Sequence, residues 1–317
     1  MPACKPTKLL PVLLLAVSLM LFGCKPNSAP QSEKPVVIAS FYPLYDFARH
    51  LAGTNVTVVC LVPPGGDPHG MEATPDTAKQ IANAQAVFLL GLGMDTWLDK
   101  LTQNNDKVRR IVLSEDIATR PFGQAALAEF AATDAEHHDH AHEDIDPHIW
   151  LDPVRAQQIV TRVATELKQI SPASAASIAT NEAQLLGELR QLDADFKAAT
   201  ADFKRRDIVT FHGAFGYLFD RYQLNTAGVV ELFPGDQPSA AYLRALVDLM
   251  RKLDITTIFA EPQLPDAPAQ IIAREIGGRI ERLDPCETIL PDAPQSTYVE
   301  RQRKNLETLR RVLSATP

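Results

Sequence analysis

The chain is 317 residues long, with 31 lysines and arginines against 39 aspartates and glutamates, a formal charge of −8. That length can bury a substantial core in one large or two ordinary domains, and 45% apolar with 22% charged residues excludes a wholly disordered chain. The acidic balance argues against a nucleic-acid-binding face, and no stretch after residue 30 is apolar for long enough to span a bilayer.

Residues 1–23 read as an export signal. Lys5 and Lys8 open it, and Leu9 to Phe22 follow as a mostly apolar run too short for a membrane span. The run ends in Leu21-Phe22-Gly23-Cys24, which resembles the lipobox of bacterial lipoproteins and implies a lipid anchor on Cys24. Residues 24–35, rich in Pro, Ser and Lys, then form a tether. Cys4 leaves with the signal, so Cys60 and Cys286 are the thiols of the folded body. Two separate buried thiols are the plainer expectation and a bridge between them the alternative.

Two similar halves follow. In the first, 36–152, short apolar runs at Val36–Ser40, Val56–Val62, Ala86–Leu90 and Ile111–Leu113 alternate with helical patterns at Pro43–Leu51, Thr77–Asn83 and Met94–Leu101. Strands apolar on both faces, separated by helices, indicate a parallel sheet covered on each side. A His-rich acidic loop occupies 134–146. Asp152-Pro153 opens a helical connector over 153–204, with Asp as N-cap and Pro in the first turn. Its first helix stops at Ser171-Pro172, and a second from Ala173 to Phe203 is roughly 45 Å long, a spacer and rigid hinge. The rhythm returns in 205–317, with strands expected at Ile208–Thr210, Gly228–Leu232, Thr256–Ala260 and Arg279–Leu283. Helices are expected there at Ala214–Tyr222, Ser239–Leu253, Ala267–Ile276 and Ser296–Leu313. The fold class is therefore α/β: two lobes, each a mainly parallel sheet of about four strands flanked by helices, joined by one long helix.

The chemistry lies in the histidines. His50 sits on a helix pattern and reads as a surface or cap residue. His69, His148 and His212 each stand at a strand end or in a loop leading into a helix. Ligands of open parallel sheets bind outside the carboxyl ends of the strands, so three imidazoles from both halves can meet between the lobes. Imidazole suits Zn²⁺, and one oxygen ligand would complete a tetrahedron. Asp284, at the end of the last strand, is the expected fourth ligand; Glu261, which also ends a strand, competes for that place and otherwise supports a ligand. His137, His138, His140 and His142 of the acidic loop suit weak, auxiliary zinc collection.

Several motifs together resemble the zinc/manganese family of metal-specific solute-binding proteins of bacterial ABC transporters. They are Ser40-Phe41-Tyr42-Pro43-Leu44, Gly66-Asp67-Pro68-His69, and Asp146-Pro147-His148-Ile149-Trp150-Leu151-Asp152-Pro153. Thr210-Phe211-His212-Gly213-Ala214-Phe215 and Phe259-Ala260-Glu261-Pro262-Gln263 complete the set. The resemblance implies a monomeric, lipid-anchored protein of the periplasm or cell surface that carries Zn²⁺ to a membrane permease with a cytoplasmic ATPase. By the same resemblance the ligands are His69, His148, His212 and Asp284. His212, where manganese-selective relatives tend to place a carboxylate, favours zinc over Mn²⁺ as cargo. A manganese carrier and a surface adhesin with structural zinc are the alternatives. No His-Glu-x-x-His, Gly-x-Ser-x-Gly or Walker loop is present, and four protein ligands leave no position for a catalytic water, so an enzyme is not expected.

Overall fold

The computed structural model describes residues 1–3, 34–103, 105–122, 145–231, 235, 238–263 and 267–314. Lys34–Pro317 form one unit by their contacts, to which both sheets and all the helices below belong. The segment around Cys24 and the loop residues His137, His138, His140 and His142 lie outside the described residues.

Strands β1 (Val36–Ala39), β2 (Thr57–Cys60), β3 (Ala86–Leu89) and β4 (Arg109–Val112) make a parallel sheet in the order β2-β1-β3-β4. Strands β5 (Asp207–Thr210), β6 (Asn225–Val229), β7 (Thr257–Ala260) and β8 (Arg279–Arg282) repeat that topology as β6-β5-β7-β8. The central strands are buried on both faces. Val37 and Ala39 join the core shared with the long helices, while Ile38 between them packs into a separate cluster with Val87 and Leu89. In the second sheet Ile208 and Phe259 face the shared core, and Val209, Ile258 and Ala260 face the far side. The period of two along a strand makes this division, and burial on both sides is what a parallel sheet requires.

Two strands begin two or three residues earlier than their apolar runs. β4 starts at Arg109, because an edge strand tolerates charged side chains: Arg109 donates to Glu166 at 2.6 Å, and Arg110 pairs with Asp99. β6 starts at Asn225, where a register shift between Ile208 and Val209 lets the polar pair Asn225-Thr226 enter the ladder.

Helix α1 (Tyr42–Ala52) follows β1, α2 (Pro75–Ala82) carries a Thr74–Thr77 capping box, and α3 (Thr96–Thr102) follows β3. Helix α4 (Pro153–Ile170) starts where Asp152 accepts a 2.9 Å bond from the Val154 N–H. A 3-10 turn at Pro172–Ser174 separates it from α5 (Ala175–Ala201), whose 27 residues run through Gly187 unbroken, roughly 40 Å. The second sheet is flanked by α6 (Gly216–Arg221), α7 (Ala240–Lys252) and α8 (Ala267–Glu275). Helix α9 (Tyr298–Leu313), capped by Thr297 and Glu300, returns to fasten the two halves. Tyr298 Oη donates to the Trp150 carbonyl at 2.5 Å, its N–H donates to Asp46 Oδ2 at 2.9 Å, and Trp150 Nε1 donates to the Pro285 carbonyl at 2.8 Å.

Candidate metal centre

Four loops at the carboxyl ends of the strands converge between the sheets. His69 comes from the loop after β2, His148 from the turn before Ile149–Leu151, His212 from the residue pair after β5, and Glu287 from the loop after β8. Their ligand atoms all lie within 4.8 Å of one another, and among the described residues this is the group able to hold a metal ion.

The spacing is specific. Four ligands about 2.0–2.1 Å from a tetrahedral ion stand roughly 3.3–3.4 Å from each other. Here His148 Nε2 and His212 Nε2 are 3.3 Å apart. Glu287 Oε1 lies 3.4 Å from His69 Nε2, 3.3 Å from His148 Nε2 and 3.5 Å from His212 Nε2. Four of the six donor–donor distances thus match a zinc-sized tetrahedron, and the two between His69 and the other imidazoles lie within 4.8 Å.

Two imidazoles are held in a ligating form. His148 Nδ1 lies 2.8 Å from Asp146 Oδ1, and His212 Nδ1 is hydrogen-bonded to Glu261. A carboxylate at Nδ1 places the proton there and leaves the Nε2 lone pair facing the centre, the tautomer being assigned from the network. His148 and His212 are fully buried, as are Asp146, Glu261 and Glu287 to within 2%. The His69 side chain is 15% exposed, and no carboxylate holds its Nδ1 among the described residues.

The electrostatics follow from this crowding. Burial alone would lower the imidazoles, but Glu261 and Glu287 outweigh it and raise His212 well above its ordinary value. His148 is raised against burial by Asp146 and Glu287. Burial likewise pushes Glu287 up, yet the field of His212 and the bonds from the three histidines hold it well below the usual carboxylate range. The centre is a buried carboxylate facing imidazoles that compete for protons or a cation.

The structure brings together three of the expected ligands, His69, His148 and His212, and does not bring Asp284 to them. Asp284 Oδ2 accepts from Arg301 Nε at 2.6 Å, and its Oδ1 accepts from Arg301 Nη2 at 2.7 Å and from the Cys286 N–H at 2.8 Å. With both oxygens engaged by a buried guanidinium, the fourth corner passes to Glu287, three residues on. The sequence signal for Glu287 was its place in the same strand-end loop, Leu283-Asp284-Pro285-Cys286-Glu287. Glu261 stands against His212 rather than at the centre. His50 lies in the last turn of α1 with Nδ1 2.7 Å from the Asp46 carbonyl, away from the cluster. Cys60 and Cys286 are both free thiols.

Residues 37–312 match the family profile described as "Zinc-uptake complex component A periplasmic". The zinc-binding lipoprotein AdcA of Streptococcus pneumoniae is 30% identical over 308 residues, covering 94% of this chain and 60% of the relative. The chain thus spans about 60% of the length of the first curated relatives it matches. The crystal structure of Zn(II)-bound AdcA from S. pneumoniae superposes with a TM-score of 0.74 at 28% identity, covering 89% of this chain and 58% of that one. The laminin-binding adhesin Lmb of Streptococcus agalactiae, a mutant structure, superposes with a TM-score of 0.76 at 25% identity, covering 87% and 98%.

Proposed function

The chain belongs to the family of the zinc-uptake complex component A, periplasmic, and from that premise we propose that it captures one Zn²⁺ between its lobes outside the cytoplasm and hands it to an ABC permease for import. The observation that carries this reading is the convergence of His69, His148, His212 and Glu287, three of them buried, with ligand atoms within 4.8 Å of one another. Two imidazoles come from the first half and one imidazole plus one carboxylate from the second, so the ion ties the halves together. Four protein donors leave no position for a reactive water, which suits cargo rather than catalysis. His69, the exposed member, is the side from which the ion enters and leaves.

The permease with its cytoplasmic ATPase, and a lipid anchor at Cys24, belong to the same proposal. So does the division of the chain into a first lobe (36–152), a helical connector (153–204) and a second lobe (205–317). Among the described residues no helix is long and apolar enough to cross a membrane. Three imidazoles favour Zn²⁺ over Mn²⁺, a harder ion that prefers oxygen-rich, higher-coordinate sites; manganese is the alternative cargo. The likeness to a laminin-binding adhesin supports a second reading, a surface adhesin with structural zinc. Loss of zinc import on deletion of the gene separates the first reading from the second, which predicts loss of laminin binding with import intact.

The test is metal analysis after chelation and reloading. The whole chain should hold one tight Zn²⁺ plus weaker ions on His137, His138, His140 and His142. Deleting 135–144 should remove the weak ions and leave the tight one. Loss of the tight ion on that deletion would make the loop the primary site and overturn the assignment.

Zinc affinity should also depend on pH, with a sign fixed by the geometry. His148 and His212 are raised in the metal-free protein, so their protons stay bound to a higher pH than on a free imidazole, near 6.5. The stabilisation from those charged imidazoles is present at low pH and is lost as pH rises through their raised values. Zinc needs them neutral, so its affinity should fall as pH drops, beginning above that reference, by roughly tenfold per titrating imidazole per pH unit. Competition against a chelator from pH 8 to 5.5 checks this, and a flat profile would exclude a site built on imidazoles.

A further inference from the structure

Of the three fully buried donors, Glu287 is the one with no supporting side chain behind it among the described residues. Among the described residues the ion-pair partners of its carboxylate are the three imidazoles. His148 and His212, by contrast, each lean on a carboxylate. The aim of Glu287 must therefore come from its backbone.

That backbone is unusual. Cys286, the residue before it, has φ +56°, in the left-handed region that side-chain-bearing residues seldom adopt. The turn is held from both sides by one side chain. Arg301, on α9 and 1% exposed, grips Asp284 through Nε and Nη2 at 2.6 and 2.7 Å. Its Nη1 donates to the Thr288 carbonyl at 2.7 Å. The same guanidinium thus spans the segment that presents Glu287. Asn305 fixes the near end, accepting from the Asp284 N–H at 2.8 Å and donating to its carbonyl at 2.7 Å. The Tyr42 ring lies 4.3 Å from the guanidinium carbon.

We propose that Arg301 and Asp284 form a clasp that positions Glu287 as the fourth ligand, so that they set zinc affinity without touching the ion. A bidentate pair fixes the guanidinium plane, and through Thr288 and the Cys286 N–H that plane fixes the turn. The clasp rests on the zinc-capture reading.

The test is a double-mutant cycle on the full chain, with zinc affinity read by chelator competition and metal-free melting read alongside. Arg301→Lys keeps the charge and loses the fork; Asp284→Asn keeps the shape and loses the charge. Each should weaken zinc binding about 10- to 100-fold, the range for groups that orient a ligand. In the Glu287→Ala background the same substitutions should change affinity by no more than about twofold, since no ligand is left to aim. The same loss in both backgrounds, or wild-type affinity in both single variants, would overturn the clasp. So would failure of both single variants to fold, because the pair would then be holding the lobe and not the ligand. A wild-type chain that binds no zinc tightly would instead overturn the capture reading.

Discussion

His212→Ala is expected to lower zinc affinity by about 100- to 1,000-fold. Structural zinc sites with four ligands are worth roughly 10–16 kcal/mol, or about 2.5–4 kcal/mol for each ligand, and about 1.4 kcal/mol is tenfold. The loss should lie toward the upper end, because His212 does two things at once. Its Nε2 forms one corner of the tetrahedron, and its Nδ1 is the partner of the buried Glu261 carboxylate. Removing the imidazole leaves Glu261 and Glu287 both buried with less positive charge to face, so the metal-free protein should be less stable as well. His212→Glu would set a further carboxylate against Glu261, which makes alanine the cleaner probe. Competitive titration with Zn²⁺ and Mn²⁺ at pH 7.5 reads the result. Wild-type protein should prefer zinc, and His212→Ala should weaken both ions and narrow the preference. Intact zinc binding in that variant would remove His212 from the site.

Zinc should raise the melting temperature by on the order of 10 °C. A ligand that binds only the folded state stabilises it by mass action, by about 4 kcal/mol at a thousand times its dissociation constant. For a chain of this size class 1 kcal/mol moves the midpoint by roughly 2–4 °C. The effect should be cooperative across the molecule, because the ion joins loops from both sheets that α9 and the Trp150–Pro285 contact already hold close. The difference between loaded and stripped protein should shrink as pH falls, since protons on His148 and His212 then replace the ion. Equal melting temperatures with excess zinc and with chelator at pH 7.5 would contradict the account.

Much of this site was legible before the fold. Parallel sheets place their functional loops at the carboxyl ends of the strands; His212 stands just past such an end, His148 just before a helical turn, and His69 within the loop that links β2 to the next helix. Their residue type then named the metal. The long helix was legible because Ser171-Pro172 stops one helix and nothing in 175–201 stops the next. The fourth ligand was not legible in the same way. Asp284 and Glu287 lie three residues apart in one loop, both acidic, and local pattern ranks the one nearer the strand first. Only the tertiary approach of Arg301, seventeen residues further on, occupies Asp284 and leaves Glu287 facing the three imidazoles. The starts of β4 and β6 were missed for a related reason. Arg109 and Asn225 look like loop residues until an edge position and a register shift give them partners.

One zinc ion is expected among His69, His148, His212 and Glu287. An anomalous difference map collected at the zinc edge from crystals of the reloaded protein tests it most directly. A single strong peak is expected between the lobes, about 2.0–2.1 Å from each of the three Nε2 atoms and about 2.0–2.2 Å from a Glu287 oxygen, with Asp284 still clasped by Arg301. A peak bound by Asp284, or a strong peak elsewhere with the four-residue cluster empty, would contradict it.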